Sequence, residues 1–447
     1  MEHIVIIGNG IAGITAARWI RKLSDHRITV ISSESDYFFS RTALMYVYMG
    51  HMRWQDILPY DADFYKKNRI ELIYNHIQSI NFYNKILQAT DGASYKYDRL
   101  ILATGSKSNY FNWEGQELEG VCGLYTKQDL DKIEFLSEGI KSAVIVGGGL
   151  IGVELAEMLH SRNIKVVLLA RDSAYWSAVL PAEEAALVSR HILEHQIDLR
   201  HETGLLKINA NENGKVASIL TDKGHTIPCE FVGITTGVSP NIDFLRNTPL
   251  ACDKGILVNN YLETNIPNVY AIGDCVQLRE PIKDRKAIEA VWYTGSIMGE
   301  TLAYTICVEP KPYEQLIWFN SAKFFDIEYQ VYGLVPNKIE YPLDTLYWES
   351  SSGKKSIRLI FDEDTKIIKG FNLMGFRFRQ EVCEQWIRKK TPLENVVANI
   401  RLAFFEPEFY SDVAPKLLKI YKLKFGKKTS LRSSGSLNAV LRFFKKN

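Results

Sequence analysis

The residues HIVIIGNGIAG (3–13) set the architecture of the N-terminal part of the chain. A short β-branched run breaks there into a glycine turn and continues as the helix-like TAARWIRKL. Gly8, Gly10 and Gly13 have the G-x-G-x-x-G spacing. In that motif the first glycine permits a tight turn, the second lets a pyrophosphate approach the backbone, and the third lets helix and strand pack closely. Since amides at the helix N-terminus then face the phosphate charge, the stretch predicts a dinucleotide-binding β-α-β unit.

The same pattern recurs in SAVIVGGGLIG (residues 142–152). Gly147, Gly149 and Gly152 follow an apolar strand and precede the helical VELAEMLHS. The matching strand-turn-helix context favours two dinucleotide cofactors over two unrelated glycine-rich turns. We therefore predict an α/β fold with two Rossmann-like dinucleotide-binding domains.

Length and composition set the class of protein. With 447 residues, 46% hydrophobic and 24% charged, the chain resembles an ordinary globular protein with two or three domains. A net charge of +2 gives no reason to expect nucleic acid as a partner. The cysteines are scattered without a C-x-x-C pair, which argues against a disulfide framework, a zinc ribbon and a local redox pair. We find neither a signal peptide nor an apolar run of about 18 residues, so we expect a cytoplasmic protein, with peripheral contact at the membrane inner face as the alternative.

Two residues near the first fingerprint are candidates for cofactor binding. The strand RITVISSES should end in a carboxylate that binds the adenosine ribose. Ser32 occupies the usual position, so Glu34 is the candidate, and a solvated loop acid is the alternative. Arg41 is the only basic residue in the aromatic stretch YFFSRTALMYVYMG (37–50). Its planar guanidinium suits a pyrophosphate, and a plain surface arginine is the alternative.

The second fingerprint differs at its ribose position. The strand IKVVLLARD has Ala170 where a site specific for NAD would have an acid, and Arg171 follows. A missing carboxylate beside an arginine favours the 2′-phosphate of NADPH, or weak discrimination. Asp172 is the alternative ribose ligand.

Later motifs complete the predicted sheets. ELIYNHIQSINFYNKIL (71–87) alternates like the strands of a small insertion, and DRLILATGS (98–106) predicts a buried strand followed by a small-residue turn. TNIPNVYAIGDC (264–275) predicts another buried strand that ends at Gly273 and Asp274. An acid at the carboxyl end of a parallel strand lies where open α/β sheets bind ligands.

Two histidines form a candidate metal site. His191 and His195 are spaced i, i+4, so both imidazoles can lie on one helix face. Without an H-E-x-x-H glutamate or an evident third ligand, solvent-facing histidines are favoured over zinc, and the sequence predicts no metal.

The sequence pattern changes in the C-terminal part of the chain. From Trp318 the pattern predicts strand hairpins and a helix, which indicates a separate α+β domain. After Asp412 the chain has ten Lys or Arg and no acid. Within this tail Ser436 is a candidate N-cap for LNAVLRFF, whose apolar stripe suggests an interfacial helix. The stripe comprises Leu437, Val440, Leu441 and Phe444, with Arg442, Lys445 and Lys446 outside it. A helix docked on its own protein and attraction to an acidic partner are the alternatives.

Five motifs together resemble the pyridine nucleotide-disulfide oxidoreductase family of FAD flavoproteins. They are the first glycine fingerprint, Ala103-Thr104-Gly105, GGGLIGVELAE (147–157), Thr236-Gly237-Val238-Ser239-Pro240-Asn241 and NVYAIGD (268–274). The resemblance implies FAD and NAD(P)H as cofactors. It also implies an FAD domain (1–112 and 245–317), an NAD(P)H domain (113–244), a C-terminal α+β domain (318–412) and a basic tail (413–447).

The resemblance also assigns roles to individual residues. Asp274 would bind the ribityl chain or pyrophosphate of FAD, and Ile77 would offer its backbone to the adenine. Glu154 would lie where nicotinamide meets flavin, and Gly237 would close the NAD(P)H site. Trp292 and Tyr293 would line the isoalloxazine.

One departure from the family defines the expected activity. The stretch that carries redox cysteines in disulfide reductases contains none here, and F-S-R-T-A-L is similar to the Y-x-R-x-x-L-S of rubredoxin and ferredoxin reductases and of the flavin-binding part of nitrite reductase. The resemblance thus implies an oxidoreductase in which NAD(P)H delivers hydride to flavin and electrons pass singly to an external carrier. A membrane quinone as acceptor, and a redox-gated interaction protein similar to apoptosis-inducing factor, are the alternatives. The acceptor, the choice of NADH or NADPH and the oligomeric state, with a homodimer as one option, stay open.

Overall fold

The computed structural model describes residues 1–405, 412–426 and 429–432. The helices are α1 (Ile11–Leu23), α2 (Leu44–Tyr48), α3 (Ala62–Lys67), α4 (Lys127–Leu136), α5 (Leu150–Ser161), α6 (Ala182–Glu194), α7 (Trp292–Cys307), α8 (Gln380–Arg388), α9 (Leu393–Ala398) and α10 (Ala414–Phe425). The strands are β1 (His3–Ile7), β2 (Arg27–Ser32), β3 (Ile70–Tyr74), β4 (Ile77–Asn81), β5 (Ile86–Ala89), β6 (Ser94–Lys96), β7 (Arg99–Leu102), β8 (Ser106–Ser108), β9 (Val121–Cys122), β10 (Ser142–Val146), β11 (Lys165–Leu169), β12 (Asp198–Arg200), β13 (Leu205–Ala210), β14 (Val216–Thr221), β15 (Thr226–Pro228), β16 (Phe231–Ile234), β17 (Val238–Pro240), β18 (Ile256–Val258), β19 (Val269–Ala271), β20 (Val276–Leu278), β21 (Phe319–Phe324), β22 (Ile327–Gly333), β23 (Leu343–Glu349), β24 (Ser356–Asp362) and β25 (Ile368–Met374).

The first glycine fingerprint lies at the centre of a parallel sheet. Its strand order is β19-β7-β1-β2-β3, and every neighbouring pair runs in parallel. The residues of β1 from Ile4 to Ile7 are buried, as expected for a strand covered on both faces. Because the strands are parallel, their carboxyl ends all meet at one edge of the sheet.

The turn after β1 shows why glycines stand there. Gly8 has a φ of +110°, and a Cβ at this position would lie 2.1 Å from the carbonyl oxygen of Ala103. A Cβ at Gly13 would lie 2.0 Å from the carbonyl oxygen of Gly8. These two positions therefore need glycine for the turn and for close packing of α1, as the motif predicts.

The second fingerprint repeats this local architecture. The strand β10 leads through Gly147–Gly149 into α5, and β10 pairs in parallel with β16, which pairs in parallel with β9. The next strand, β11, pairs in parallel with β12. A Cβ at Gly147 would lie 2.3 Å from the carbonyl oxygen of Thr235, just as Gly8 approaches Ala103. The predicted α/β fold with two Rossmann-like domains is confirmed.

The C-terminal residues form the predicted α+β structure. An antiparallel sheet of order β21-β22-β25-β24-β23 packs with α8, α9 and α10 around an apolar core. The helix α10 contributes its buried Leu417 and Tyr421 to this core. The tail residues 433–447, with the predicted LNAVLRFF helix, lie outside the described residues.

The described chain forms two compact units. One comprises residues 1–147, 155–166 and 205–315, and the other comprises 148–154, 167–204 and the described residues from 316 onward. The domain boundaries given above from the family resemblance remain a prediction. Within the described residues, every helix is too short or too polar to cross a lipid bilayer.

One strand prediction was wrong in its placement. Residues 71–74 of the predicted stretch do not belong to the small insertion but to β3, the outer strand beside β2 in the first sheet. The separate three-stranded insertion consists of β4, β5 and β6. The alternation in the sequence arose because an outer strand is only partly covered.

Candidate cofactor sites

A cavity of about 790 Å³ lies at the carboxyl ends of the first parallel sheet. Its volume is within the range of ordinary ligand sites. Many of its lining residues are ones the sequence singled out, namely Gly8, Gly10, Glu34, Arg41, Ile77, Ala103, Thr104, Gly105, Gly273 and Asp274. The fold thus gathers residues that are up to 266 positions apart in the chain, from Gly8 to Asp274.

The turn at Gly10 leaves room for a phosphate. A Cβ at this position would meet no protein atom within 4 Å. The residue directly precedes α1, and its φ of −68° is open to any residue. Protein packing therefore does not require a glycine here, whereas a pyrophosphate held against the backbone amides would. The residues present fit the dinucleotide that the motif predicts.

Glu34 and Arg41 contact each other in the wall of the cavity. Two guanidinium nitrogens of Arg41 each donate to a Glu34 carboxylate oxygen at 2.7 Å, and Arg41 also donates to the carbonyl oxygen of Tyr125. The backbone amide of Lys127 donates to Glu34 at 3.1 Å. Burial lowers the pKa of Arg41, but the hydrogen bond and charge of Glu34 outweigh it, so the pKa is raised overall. The pair holds one fixed positive and one fixed negative group on the cavity wall, at half-buried positions.

Asp274 lies on the opposite side of the first fingerprint, after β19. The hydroxyl of Tyr125 donates to its carboxylate at 3.3 Å. Burial raises the pKa of Asp274, although Tyr125 and Arg41 act in the other direction. Burial also raises the pKa of Tyr125 to about 12, so its hydroxyl stays a donor at neutral pH.

Tyr125 is a site residue that the sequence analysis missed. Its ring lies beneath the Arg41 guanidinium at 4.5 Å, and its hydroxyl and carbonyl bind Asp274 and Arg41. Asn9 was missed as well, and its buried amide donates to the carbonyl oxygen of Ser35 at 2.8 Å. Tyr125 lies just before α4 in no motif, so its position is set by long-range contacts that a local pattern does not reveal.

Trp292 and Tyr293 are not among the residues that line this cavity. They begin α7, with their rings 5.3 Å apart, and Trp292 is exposed. A Cβ at Gly299 of the same helix would lie 2.6 Å from the carbonyl oxygen of Ala12, so α7 packs closely on α1. Their contact with an isoalloxazine remains a prediction.

The second glycine turn has the same open middle position. A Cβ at Gly149 would meet no protein atom within 4 Å. The hydroxyl of buried Tyr175 donates to the carbonyl oxygen of Gly149 at 2.7 Å and fixes the turn. A Cβ at the neighbouring Gly148 would lie 3.1 Å from that of Ala170, so the end of β11 lies beside the turn, as in a dinucleotide site.

The residues expected to contact the nicotinamide nucleotide differ in their exposure and in their contacts. Arg171 and Asp172 are exposed, and Arg171 makes no ion pair with any residue that the structure describes. Glu154 is half-buried in α5, where Gly152 also lies. Gly237 has a φ of +96° and accepts a hydrogen bond from the amide of Asn109 at 3.0 Å. Their roles in NAD(P)H binding remain predictions.

No cysteine lines the cavity at the first fingerprint. Cys275 follows Asp274, but it is fully buried, and its thiol contacts the carbonyl oxygen of Ile272 at 3.3 Å. Burial raises the pKa of Cys275 to about 11. A thiol that stays protonated at neutral pH is a poor nucleophile, so the described wall of the cavity offers no sulfur for a redox relay.

Comparison with known proteins gives one family and several relatives. The model of the pyridine nucleotide-disulphide oxidoreductase family matches residues 2–295. An NADH oxidase from Methanocaldococcus jannaschii is 30% identical over 90% of this chain and 94% of that protein. A rubredoxin-NAD(+) reductase from Pseudomonas putida is 29% identical over 69% of this chain and 81% of that protein.

Two further matches concern the length of a relative and the fold. An NAD(P)H nitrite reductase from Bacillus subtilis is 27% identical over 84% of this chain, which spans only 44% of that protein's length. The crystal structure of a ferredoxin reductase from Rhodopseudomonas palustris matches with a TM-score of 0.77 and 21% identity, over 84% of this chain and 91% of that one. The latter match supports the fold.

Proposed function

This chain belongs to the pyridine nucleotide-disulphide oxidoreductase family, and from that premise we propose that it is an FAD-dependent NAD(P)H oxidoreductase that passes electrons to a small redox protein. The observation that carries the proposal is the cavity at the first fingerprint, which combines an open glycine turn with a wall whose described residues include no cysteine. The rubredoxin reductase relative supports an acceptor of the rubredoxin or ferredoxin type.

The residues of the chain bind and orient rather than react. When bound, FAD accepts hydride from NAD(P)H and returns electrons singly, which is chemistry of the cofactor itself. The backbone amides after Gly8 and Gly10 would hold its pyrophosphate, and Glu34 would bind the ribose. Asp274 would fix the sugar chain through its half-buried carboxylate. We assign Arg41 to charge balance at the pyrophosphate, with Glu34 and Tyr125 fixing its orientation.

An acceptor screen tests this proposal. The purified yellow protein, supplied with NADH or NADPH, is mixed with rubredoxin, ferredoxin, a soluble quinone or oxygen, and turnover is compared. We expect the small redox proteins to give turnover at least tenfold above oxygen, as the similarity to a rubredoxin-NAD(+) reductase suggests. Oxygen or quinone as the fastest acceptor would contradict the assignment.

Arg171→Glu should shift nucleotide preference toward NADH. An exposed guanidinium next to Ala170 suits the extra phosphate of NADPH, whereas a carboxylate repels it and accepts from ribose hydroxyls. We expect the ratio of kcat/KM for NADPH over NADH to fall by about tenfold, or roughly 1.4 kcal/mol. Lys223→Glu makes the same charge change at an exposed residue and should leave the ratio unchanged. An unchanged ratio in Arg171→Glu means that Asp172 or another group sets the preference.

We also propose that the cationic C-terminal part of the chain contacts an anionic membrane surface. Lys419 and Lys422 of α10 are exposed and make no ion pair with the described residues, which favours an anionic partner surface. Because Leu417 and Tyr421 are in the core, a truncation must keep α10 and remove only residues 433–447. We expect that truncation, combined with Lys419→Glu and Lys422→Glu, to abolish sedimentation with anionic vesicles. Binding that survives all three changes would exclude the tail as a membrane contact.

A further inference from the structure

Two histidines and an aspartate converge in the unit that contains α6. His191 and His195 lie on one face of the helix, with ring centroids 4.7 Å apart. Asp326 lies in the turn between β21 and β22, and its Oδ1 is 2.5 Å from Nε2 of His191 and 3.2 Å from Nε2 of His195. One nitrogen or oxygen ligand atom from each of the three residues lies within 4.8 Å of the others. The expectation that both histidines face solvent was wrong for His191, whose side chain is only 1% exposed.

The ring of His191 has an unsatisfied nitrogen that points into this cluster. Its Nε2 has no hydrogen-bond partner among the described residues, because Asp326 Oδ1 is close but lacks hydrogen-bond geometry. Its Nδ1 lies 3.4 Å from the Glu194 carboxylate. A ring that donates from Nδ1 to Glu194 has a lone pair at Nε2. Two acceptors 2.5 Å apart repel each other unless they share a proton or separate to hold a cation.

The turn between β21 and β22 brings Asp326 to the two histidines. Phe325 precedes Asp326 in the tight turn, with a φ of +54° that bulky residues rarely adopt. Its ring stacks on that of His195 with 4.1 Å between centroids and an interplanar angle of 9°. This stacking orients His195 and places Asp326 against the two imidazoles.

A lysine also contacts two carboxylates at the cluster. Lys354 lies 3.7 Å from Asp326 Oδ2 and 3.7 Å from Glu194. The carboxylate oxygen Oδ1 of Asp326 faces both imidazoles.

We propose that His191, His195 and Asp326 bind a divalent transition-metal ion, with Zn²⁺ as the expected ion and water in the remaining position. Two imidazole nitrogens and one carboxylate oxygen are a common ligand set for zinc. Bonds of about 2.0 Å place tetrahedral ligand atoms roughly 3.3 Å apart. The contact of His195 with Asp326 already has this spacing, and exposed Asp326 needs to withdraw from His191 by less than about 1 Å. Glu194 then acts as the carboxylate that orients a ligand histidine.

The expected role of the ion is structural. It would join α6 to the β21–β22 turn, two segments far apart in the sequence. Acidification should release it, because a protonated imidazole cannot be a metal ligand. The proposal is independent of the flavin chemistry, since none of its residues lines the cavity at the first fingerprint.

Metal titration of the full-length, tag-free holoprotein tests the site directly. After dialysis against a chelator, Zn²⁺ is added and binding is followed by calorimetry and by elemental analysis of the desalted protein. We expect one Zn²⁺ per chain. His195→Ala and Asp326→Asn should each weaken binding by at least about tenfold. Both residues are partly exposed, so both variants should fold, which bound flavin and circular dichroism verify.

Two further variants distinguish a metal site from a plain hydrogen-bonded cluster. His225→Ala removes an exposed histidine elsewhere and should leave Zn²⁺ affinity unchanged. Lys354→Gln removes a competing positive charge and should strengthen binding. No stoichiometric Zn²⁺ binding to the wild-type protein, or binding that neither His195→Ala nor Asp326→Asn weakens, would overturn the proposal.

Discussion

Gly10→Val should produce a folded but colourless protein. The site tolerates a side chain as far as the protein is concerned, because φ is −68° and no atom lies within 4 Å of a Cβ. The added methyl groups instead occupy the space in which a pyrophosphate would meet the backbone amides. Loss of two charge-assisted amide contacts, about 1.5–3 kcal/mol each, weakens FAD binding by at least roughly a hundredfold. Flavin content after gel filtration and circular dichroism measure the two effects.

Gly149→Val is the matched variant at the second fingerprint. Its position is equally open, so the protein should fold, keep its flavin and stay yellow. The apparent affinity for NADH and NADPH, measured by flavin reduction, should fall by at least roughly a hundredfold, for the same reason. If Gly149→Val loses flavin, or if Gly10→Val retains it, the assignment of one cofactor to each fingerprint is wrong.

Glu184→Ala should destabilise the unit that contains α6 by about 3–5 kcal/mol. Glu184 is 0% exposed, and its two carboxylate oxygens accept from Arg358 at 2.7 and 2.8 Å. Arg358 is 1% exposed, so removing its bidentate partner leaves a buried charge poorly compensated. The urea dependence of tryptophan fluorescence measures the free energy of unfolding.

The adjacent glutamate is the control. Glu183 also binds Arg358 at 2.7 Å, but it is 52% exposed, so Glu183→Ala should cost about 1 kcal/mol or less. The double variant Glu184→Leu with Arg358→Met removes both buried charges and should recover most of the stability. Equal losses for Glu183→Ala and Glu184→Ala would contradict the role of burial.

Local patterns predicted the parts of the structure that depend on local geometry. The two glycine turns were predictable because their geometry requires glycine. A Cβ at Gly8, Gly13 or Gly147 would collide with backbone atoms, so the glycine spacing marks the turn in the sequence. The acid at Asp274 was found because a buried parallel strand ends there. Local patterns thereby indicated the fold and ten of the residues that line the cavity.

Contacts between side chains that are far apart in the sequence could not be predicted from local patterns. Glu34 and Arg41 were expected at different parts of a dinucleotide, yet they contact each other. Asp326 lies 131 positions after His195, so no spacing rule could identify it as the missing third ligand. His191 was expected to face solvent, whereas the β21–β22 turn covers it.

In the proposed reaction, hydride enters through a flavin and electrons leave without a sulfur intermediary. An anaerobic titration of the oxidised yellow protein with NADH or NADPH tests it most directly, with the flavin absorbance and free thiols followed together. We expect complete flavin reduction by one equivalent of nucleotide per bound flavin, with no change in thiol count. A second equivalent consumed with the appearance of new thiols, or a purified protein that takes up no flavin, would contradict the claim.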